Sequence, residues 1–95
     1  MFSIIYTEES KSFIDKLILK KKRQIKDAIE RLAQDPRLGK PLTQEFSGLW
    51  SYRSGDYRII YRVKHRQVLI IILAIGHRRD IYEKLSRRYQ RAEFN

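Results

Sequence analysis

Apolar residues recur along this chain with two different periods, and the change of period divides it. Phe2 to Tyr6 is short, β-branched and aromatic, which predicts a first strand. Thr7 then stands where it can cap a helix, with Glu8 and Glu9 in a first turn whose dipole favours anions. Phe13, Ile14, Leu17 and Ile18 follow at helical spacing, and Ile25, Ala28, Ile29 and Leu32 repeat it as i, i+3, i+4, i+7. Between these stripes lie four consecutive cations, Lys20-Lys21-Lys22-Arg23, near which the two helices are expected to join as an antiparallel hairpin. Asp35-Pro36 ends the second helix, because the residue before proline avoids helical geometry. Residues 36–45, with Pro36, Gly39 and Pro41, read as a loop.

From Phe46 the period becomes that of strands, with turns at Ser54-Gly55-Asp56-Tyr57 and Lys64-His65-Arg66-Gln67. Every residue from Val68 to Ile75 is apolar, which predicts a central strand buried on both faces. Asp80 to Gln90 suits a short helix, and Arg91 to Asn95 is expected to be a loose end. The order is therefore β-α-α-β-β-β with a short C-terminal helix, in one domain spanning 1–95.

A two-residue turn at Gly55-Asp56 fixes a register. Ser54 meets Tyr57, Arg53 meets Arg58, Tyr52 meets Ile59 and Trp50 meets Tyr61. One side of the hairpin then carries Trp50, Tyr52, Tyr57, Ile59, Tyr61 and Val63, fit to bury against the helices. The other carries Leu49, Ser51, Arg53, Arg58, Ile60 and Arg62. Two arginines directly opposed destabilise a sheet unless an anion or acidic partner relieves them. An ordinary solvated face is the competing reading.

Charge strengthens the first alternative. Against 11 acidic residues stand 21 Lys+Arg, for a net +10 and a pI near 10.2. Solubility alone asks for about 2–8 charges, so a polyanion is implied: RNA, DNA, the ribosome, or an acidic protein that masks it. The absence of cysteine excludes disulfides and thiolate metal sites and is compatible with a reducing compartment. The N-terminus lacks a signal-peptide pattern, and the longest apolar run is 8 residues (Val68–Ile75), against the ~20 that cross a bilayer. A soluble cytoplasmic protein without metal, cofactor or membrane partner is expected.

The chemistry concentrates in Gly76-His77-Arg78-Arg79-Asp80-Ile81-Tyr82, which follows the apolar strand. Cleaving RNA without a metal needs a base for the 2′-hydroxyl, cations for the phosphorane-like transition state and an acid for the leaving oxygen. His77 is a candidate for proton transfer, with a structural imidazole as the alternative. Arg58 and Arg78 are candidates for phosphate binding, since guanidinium grips phosphate with two donors. Tyr82 can stack on a base or, alternatively, pin the last helix. Arg53, Arg62, Arg79 and Ser51 accompany them as RNA-binding candidates. Trp50, Tyr52 and Tyr61 read as core, and His65, in a turn, carries no assigned role.

Two segments, Leu49-Trp50-Ser51-Tyr52-Arg53-Ser54-Gly55-Asp56-Tyr57-Arg58-Ile59-Ile60-Tyr61 and Gly76 to Tyr82, in this order and spacing, resemble the RelE/ParE toxin superfamily of prokaryotic toxin–antitoxin systems. The resemblance runs over nearly the whole chain. It implies an α+β fold, with a helical hairpin packed on a small, twisted, mostly antiparallel four-stranded sheet. It also implies a ribosome-dependent endoribonuclease that cuts mRNA in the A site by 2′-hydroxyl attack, using Arg58, Arg78 and Tyr82. The alternatives within the superfamily are a DNA gyrase inhibitor of the ParE kind and a catalytically weak nucleic-acid-binding member. Well-studied RelE-type members place two lysines on the second strand, where this chain has Leu49 and Ser51. His77 and Arg53 are at hand to compensate. A cognate antitoxin is implied as partner, covering the arginines, with Leu49 and Ile60 as exposed apolar anchors.

Overall fold

Ser3–Tyr6 forms β1, and Thr7 ends it by capping α1 (Glu8–Asp15). The Thr7 hydroxyl accepts from the Ser10 N–H at 3.2 Å and donates to the Leu73 carbonyl at 2.9 Å. The cap therefore ties the helix start to the sheet as well as satisfying an orphan donor. The computed structural model describes residues 1–90; the expected loose end, Arg91 to Asn95, lies outside the described residues.

The helices join at Lys16–Ile18, earlier than expected, and α2 runs Leu19–Gln34. Ile18 takes extended backbone and is exposed, so it leaves the buried stripe to which its spacing assigns it. The four cations Lys20 to Arg23 consequently sit in the opening turns of α2, where the helix dipole opposes them. Ile25, Ala28, Ile29 and Leu32 face the sheet as their spacing predicts. Asp35 ends the helix in extended geometry, and its carboxylate accepts from the Arg37 N–H at 3.1 Å.

Five strands, not four, form the sheet. Lys40–Pro41 is a short strand β2, followed by β3 (Trp50–Ser54), β4 (Tyr57–Lys64) and β5 (Leu69–His77), in the order β1-β5-β4-β3-β2. β1 runs parallel to β5, and the other neighbours are antiparallel. Proline is tolerated in β2 because this is an edge strand. The hairpin register is the expected one, Arg53 opposite Arg58 included. Val68 leaves the predicted strand: it turns in left-handed geometry (φ 51°) and is exposed. A β-bulge shifts register between β4 and β5, where Ile60 meets Ala74 but Tyr61 meets Ile72. Leu73 and Ala74, adjacent in sequence, therefore both pack on the same side.

Two cores result. Ile14, Ile25, Ile29 and Leu32 pack on Tyr57, Ile59, Tyr61, Ile70 and Ile72 on one face. On the other, α3 (Ile81–Gln90) folds back so that Ile81 and Leu85 cover Leu49, Ile60 and Ala74. This corrects the expectation that Leu49 and Ile60 stand exposed: they are 1% and 0% accessible.

Tyr61 connects the core to the connection before β2. Its hydroxyl donates to the Pro36 carbonyl at 2.6 Å and accepts from the Gly39 N–H at 3.2 Å. Burial, the leading cause, pushes its pKa from near 10 up to about 12. The folded pKa is raised, so this contribution is whole below about pH 10 and is lost as pH climbs toward 12. Tyr61→Phe is expected to cost about 1–3 kcal/mol at neutral pH and to flatten the fall in stability between pH 10 and 12. Tyr6, also raised by burial, leaves a residual slope. Urea titrations of both proteins across this range check it; an unchanged slope would remove Tyr61 as its source.

Candidate functional site

On the face opposite α1 and α2, three side chains from three elements meet at one hydroxyl. Ser51 on β3 is 3% accessible. Arg58 on β4 donates from Nη1 to its Oγ at 3.3 Å, and the Tyr82 hydroxyl on α3 donates to the same oxygen at 3.3 Å. A serine oxygen has two lone pairs, and both are used. Strand pairing explains the convergence: Ser51 and Arg53 share a face by the period of two, and Arg58 lies directly across from Arg53.

Arg58 is half-buried, and its Nε is buried without a hydrogen-bond partner. Arg53, its cross-strand neighbour, turns Nε to the Gly55 carbonyl at 3.1 Å. Among the described residues the ion pair is Arg87 with Glu83, so neither arginine of this opposed pair has a carboxylate partner. A partly desolvated cation facing a like charge is thus poorly compensated by the described residues.

Two clefts flank Arg53. The first, of about 310 Å³, is lined by Leu38, Gly39, Lys40, Ser51, Tyr52, Arg53 and Arg58. Among the described residues it holds three cations and no carboxylate. The second, of about 460 Å³, is lined by Arg53, Asp56, His77, Arg78, Arg79 and Asp80, so two aspartates stand against its three arginines. Backbone bonds hold its rim: the Arg78 N–H donates to Asp56 O and the Asp80 N–H to His77 O, each at 3.0 Å. A larger depression, about 730 Å³, lies along α2 between Leu19 and Arg31 and contains none of these residues.

The expected site residues thus fall into groups. Ser51, Arg58 and Tyr82 touch, with Arg53 beside them. Arg78 and Arg79 line the second cleft, which shares Arg53 with the first. His77 pairs with Tyr57, and its ring packs on the Tyr57 ring at 4.9 Å, on the helix side of the sheet. Gly76, not His77, lies opposite Arg58. Arg62 is on the arginine face but four strand residues beyond Arg58, roughly 13 Å away. Lys40 had no part in the sequence reading, because Pro36, Gly39 and Pro41 marked its segment as loop. Among the described residues no cluster of three or more His, Asp or Glu could hold a metal ion, and no helix is long and apolar enough to cross a membrane.

The family model of the ParE toxin of type II toxin–antitoxin systems, parDE, matches residues 4–82. The chain is 43% identical over 54 residues to Toxin RelG of Mycobacterium tuberculosis, a match that covers 56% of this chain and 62% of that toxin. It is 50% identical over 40 residues to Toxin RelE of the same organism, covering 40% and 41%. The matches thus span less than two thirds of either relative. Among solved structures it is similar to the toxin–antitoxin complex RelBE2 from Mycobacterium tuberculosis, with a TM-score of 0.74 and 30% identity over 81% of this chain and 91% of that one. The isolated RelE toxin of E. coli superposes with a TM-score of 0.70, covering 94% and 99%, and at 19% identity it speaks for the fold alone.

Proposed function

This chain belongs to the ParE toxin family of type II toxin–antitoxin systems, within the RelE/ParE superfamily, and from that premise we propose that it is a ribosome-dependent endoribonuclease acting on mRNA in the A site. The observation that carries the reading is the Ser51–Arg58–Tyr82 cluster beside a cationic cleft that, among the described residues, no carboxylate lines. In the proposed reaction the 2′-oxygen bonds to the adjacent phosphorus and the P–O5′ bond breaks, leaving a 2′,3′-cyclic phosphate and a free 5′-hydroxyl. Negative charge grows on the phosphoryl oxygens, and Arg58, without a carboxylate partner among the described residues, is placed to meet it. Tyr82 offers its ring to a base. Arg53, Arg78 and Arg79 extend the positive surface along the strand to be cut, with Arg62 further out. His77, whose ring packs on Tyr57 while it also lines the second cleft, is the proposed proton carrier at that end.

The same premise implies a cytoplasmic protein with a cognate antitoxin. The net charge of +10 favours rapid capture by an acidic segment. Since α3 covers Leu49 and Ile60, an antitoxin that uses them as anchors must first displace α3.

A second reading, inhibition of DNA gyrase, is favoured by the ParE description of the matching family. It gives the Ser51–Arg58–Tyr82 cluster no task. Primer extension on mRNA held on ribosomes separates the two. Discrete cuts within A-site codons, ending in 2′,3′-cyclic phosphate, are expected. Intact mRNA together with gyrase-dependent DNA breaks would move the assignment to gyrase.

A further inference from the structure

We propose that Lys40 supplies, from the edge strand β2, the substrate-phosphate cation that Leu49 and Ser51 do not provide. Its role in cleavage rests on the nuclease reading above; the anion site itself does not.

Register places it. Lys40 is the antiparallel partner of Ser51, so the two side chains leave the sheet on the same face. Directly opposed residues have Cβ atoms about 4.5–5.5 Å apart, a gap that the four-carbon stem of lysine spans. Ser51 is the oxygen on which Arg58 and Tyr82 meet. Lys40 therefore stands one strand away from the centre of the site and lines the same cleft as Arg53 and Arg58.

The approach of β2 is specific to this segment. A Cβ added at Gly39 would lie 2.7 Å from the Ser51 carbonyl and would also strike the Tyr61 hydroxyl. Glycine lets the chain pass that close, and the Tyr61 hydroxyl holds it there by accepting from the Gly39 N–H. The Lys40 backbone is thereby anchored while its side chain stays exposed to an incoming ligand.

Charge identifies that ligand. Among the described residues, Lys40, Arg53 and Arg58 share a cleft without a carboxylate, and only the Ser51 hydroxyl accepts from the Arg58 guanidinium. Three converging cations with unused donors fit a phosphodiester, whose two free oxygens can accept from an ammonium and a guanidinium together. An edge-strand lysine also discourages strand-to-strand aggregation, and that role alone would give Lys40 no share in anion binding.

The test compares wild type with Lys40→Gln, Lys40→Arg and, as a control for lost charge, Lys64→Gln at the far end of β4. Inorganic phosphate is titrated at fixed ionic strength while the Arg58 side-chain Nε–H and the Ser51 amide are followed by NMR. Lys40→Gln is expected to weaken phosphate binding about five- to tenfold, with Lys40→Arg and Lys64→Gln near wild type. Cleavage of ribosome-held mRNA is measured in parallel. Lys40→Gln is expected to cut about tenfold more slowly, and Lys40→Arg to recover most of the rate. If wild type cuts and Lys40→Gln cuts equally fast, the proposal is overturned while the nuclease reading stands. If wild type does not cut, the nuclease reading fails, and the phosphate titration alone upholds or overturns the Lys40 anion site.

Discussion

Arg58→Ala is expected to lower the rate of mRNA cleavage about 10²- to 10³-fold while leaving the fold at least as stable. The activity loss follows from placement. Arg58 is the guanidinium at the Ser51–Tyr82 junction, half-buried and without a carboxylate partner among the described residues. Preorganised charge of that kind acts where phosphate charge develops, and solvent screens it less than it would a surface arginine. The stability result follows from the same facts. Arg58 faces Arg53 across the hairpin and keeps a buried Nε without a partner. Removing it relieves a like-charge contact and an unsatisfied donor, against the loss of one bond to Ser51 and some packing. Arg58→Lys keeps the charge but not the planar fork and should recover only part of the rate. Single-turnover cleavage on ribosomes and urea unfolding give the two readouts. Wild-type cleavage by Arg58→Ala would sink the site assignment. Destabilisation by more than about 1 kcal/mol would sink the view that function here is held against stability.

That opposed pair was legible in the sequence because Gly55-Asp56 leaves little choice. Gly55 takes φ +62°, as a tight hairpin turn requires, and every pairing from Ser54 back to Trp50 follows by counting. The stripe on α2 was legible for the same reason, since period fixes face. What failed depended on contacts distant in sequence. β2 exists because Gly39 and Tyr61 let a proline-containing segment lie on β3, a tertiary event without a period. The burial of Leu49 and Ile60 depends on α3 returning across the sheet. The face of His77 depends on the β4–β5 register, which a bulge shifts by one residue between Ile60 and Tyr61. Of the cluster, Arg58 and Tyr82 were visible as residue types in a motif. That they share Ser51 as a common acceptor was not.

Ile81→Ala is expected to release α3 as a unit, at a cost of about 2–5 kcal/mol, and to reduce cleavage as far as Tyr82→Ala does. α3 is held by a small core in which Ile81 and Leu85, both fully buried, sit on Leu49, Ile60 and Ala74. The seat for Ile81 is close-fitting, because a Cβ at Gly76 would lie 3.0 Å from its Cδ1. The larger core beneath α1 and α2 lies on the opposite face and shares none of those side chains. Loss of Ile81 should therefore be felt by α3 before the sheet. Tyr82 is the next residue, so its hydroxyl leaves Ser51 when the helix lifts. Hydrogen exchange distinguishes this from general weakening. Amides of α3 should exchange at least ~30-fold faster, the equivalent of about 2 kcal/mol, while those of β4 and β5 keep their protection. Uniform acceleration across the sheet would show that α3 and the sheet open together. Tyr82 would then be held by the fold as a whole, and displacing α3 could not switch the site without unfolding it.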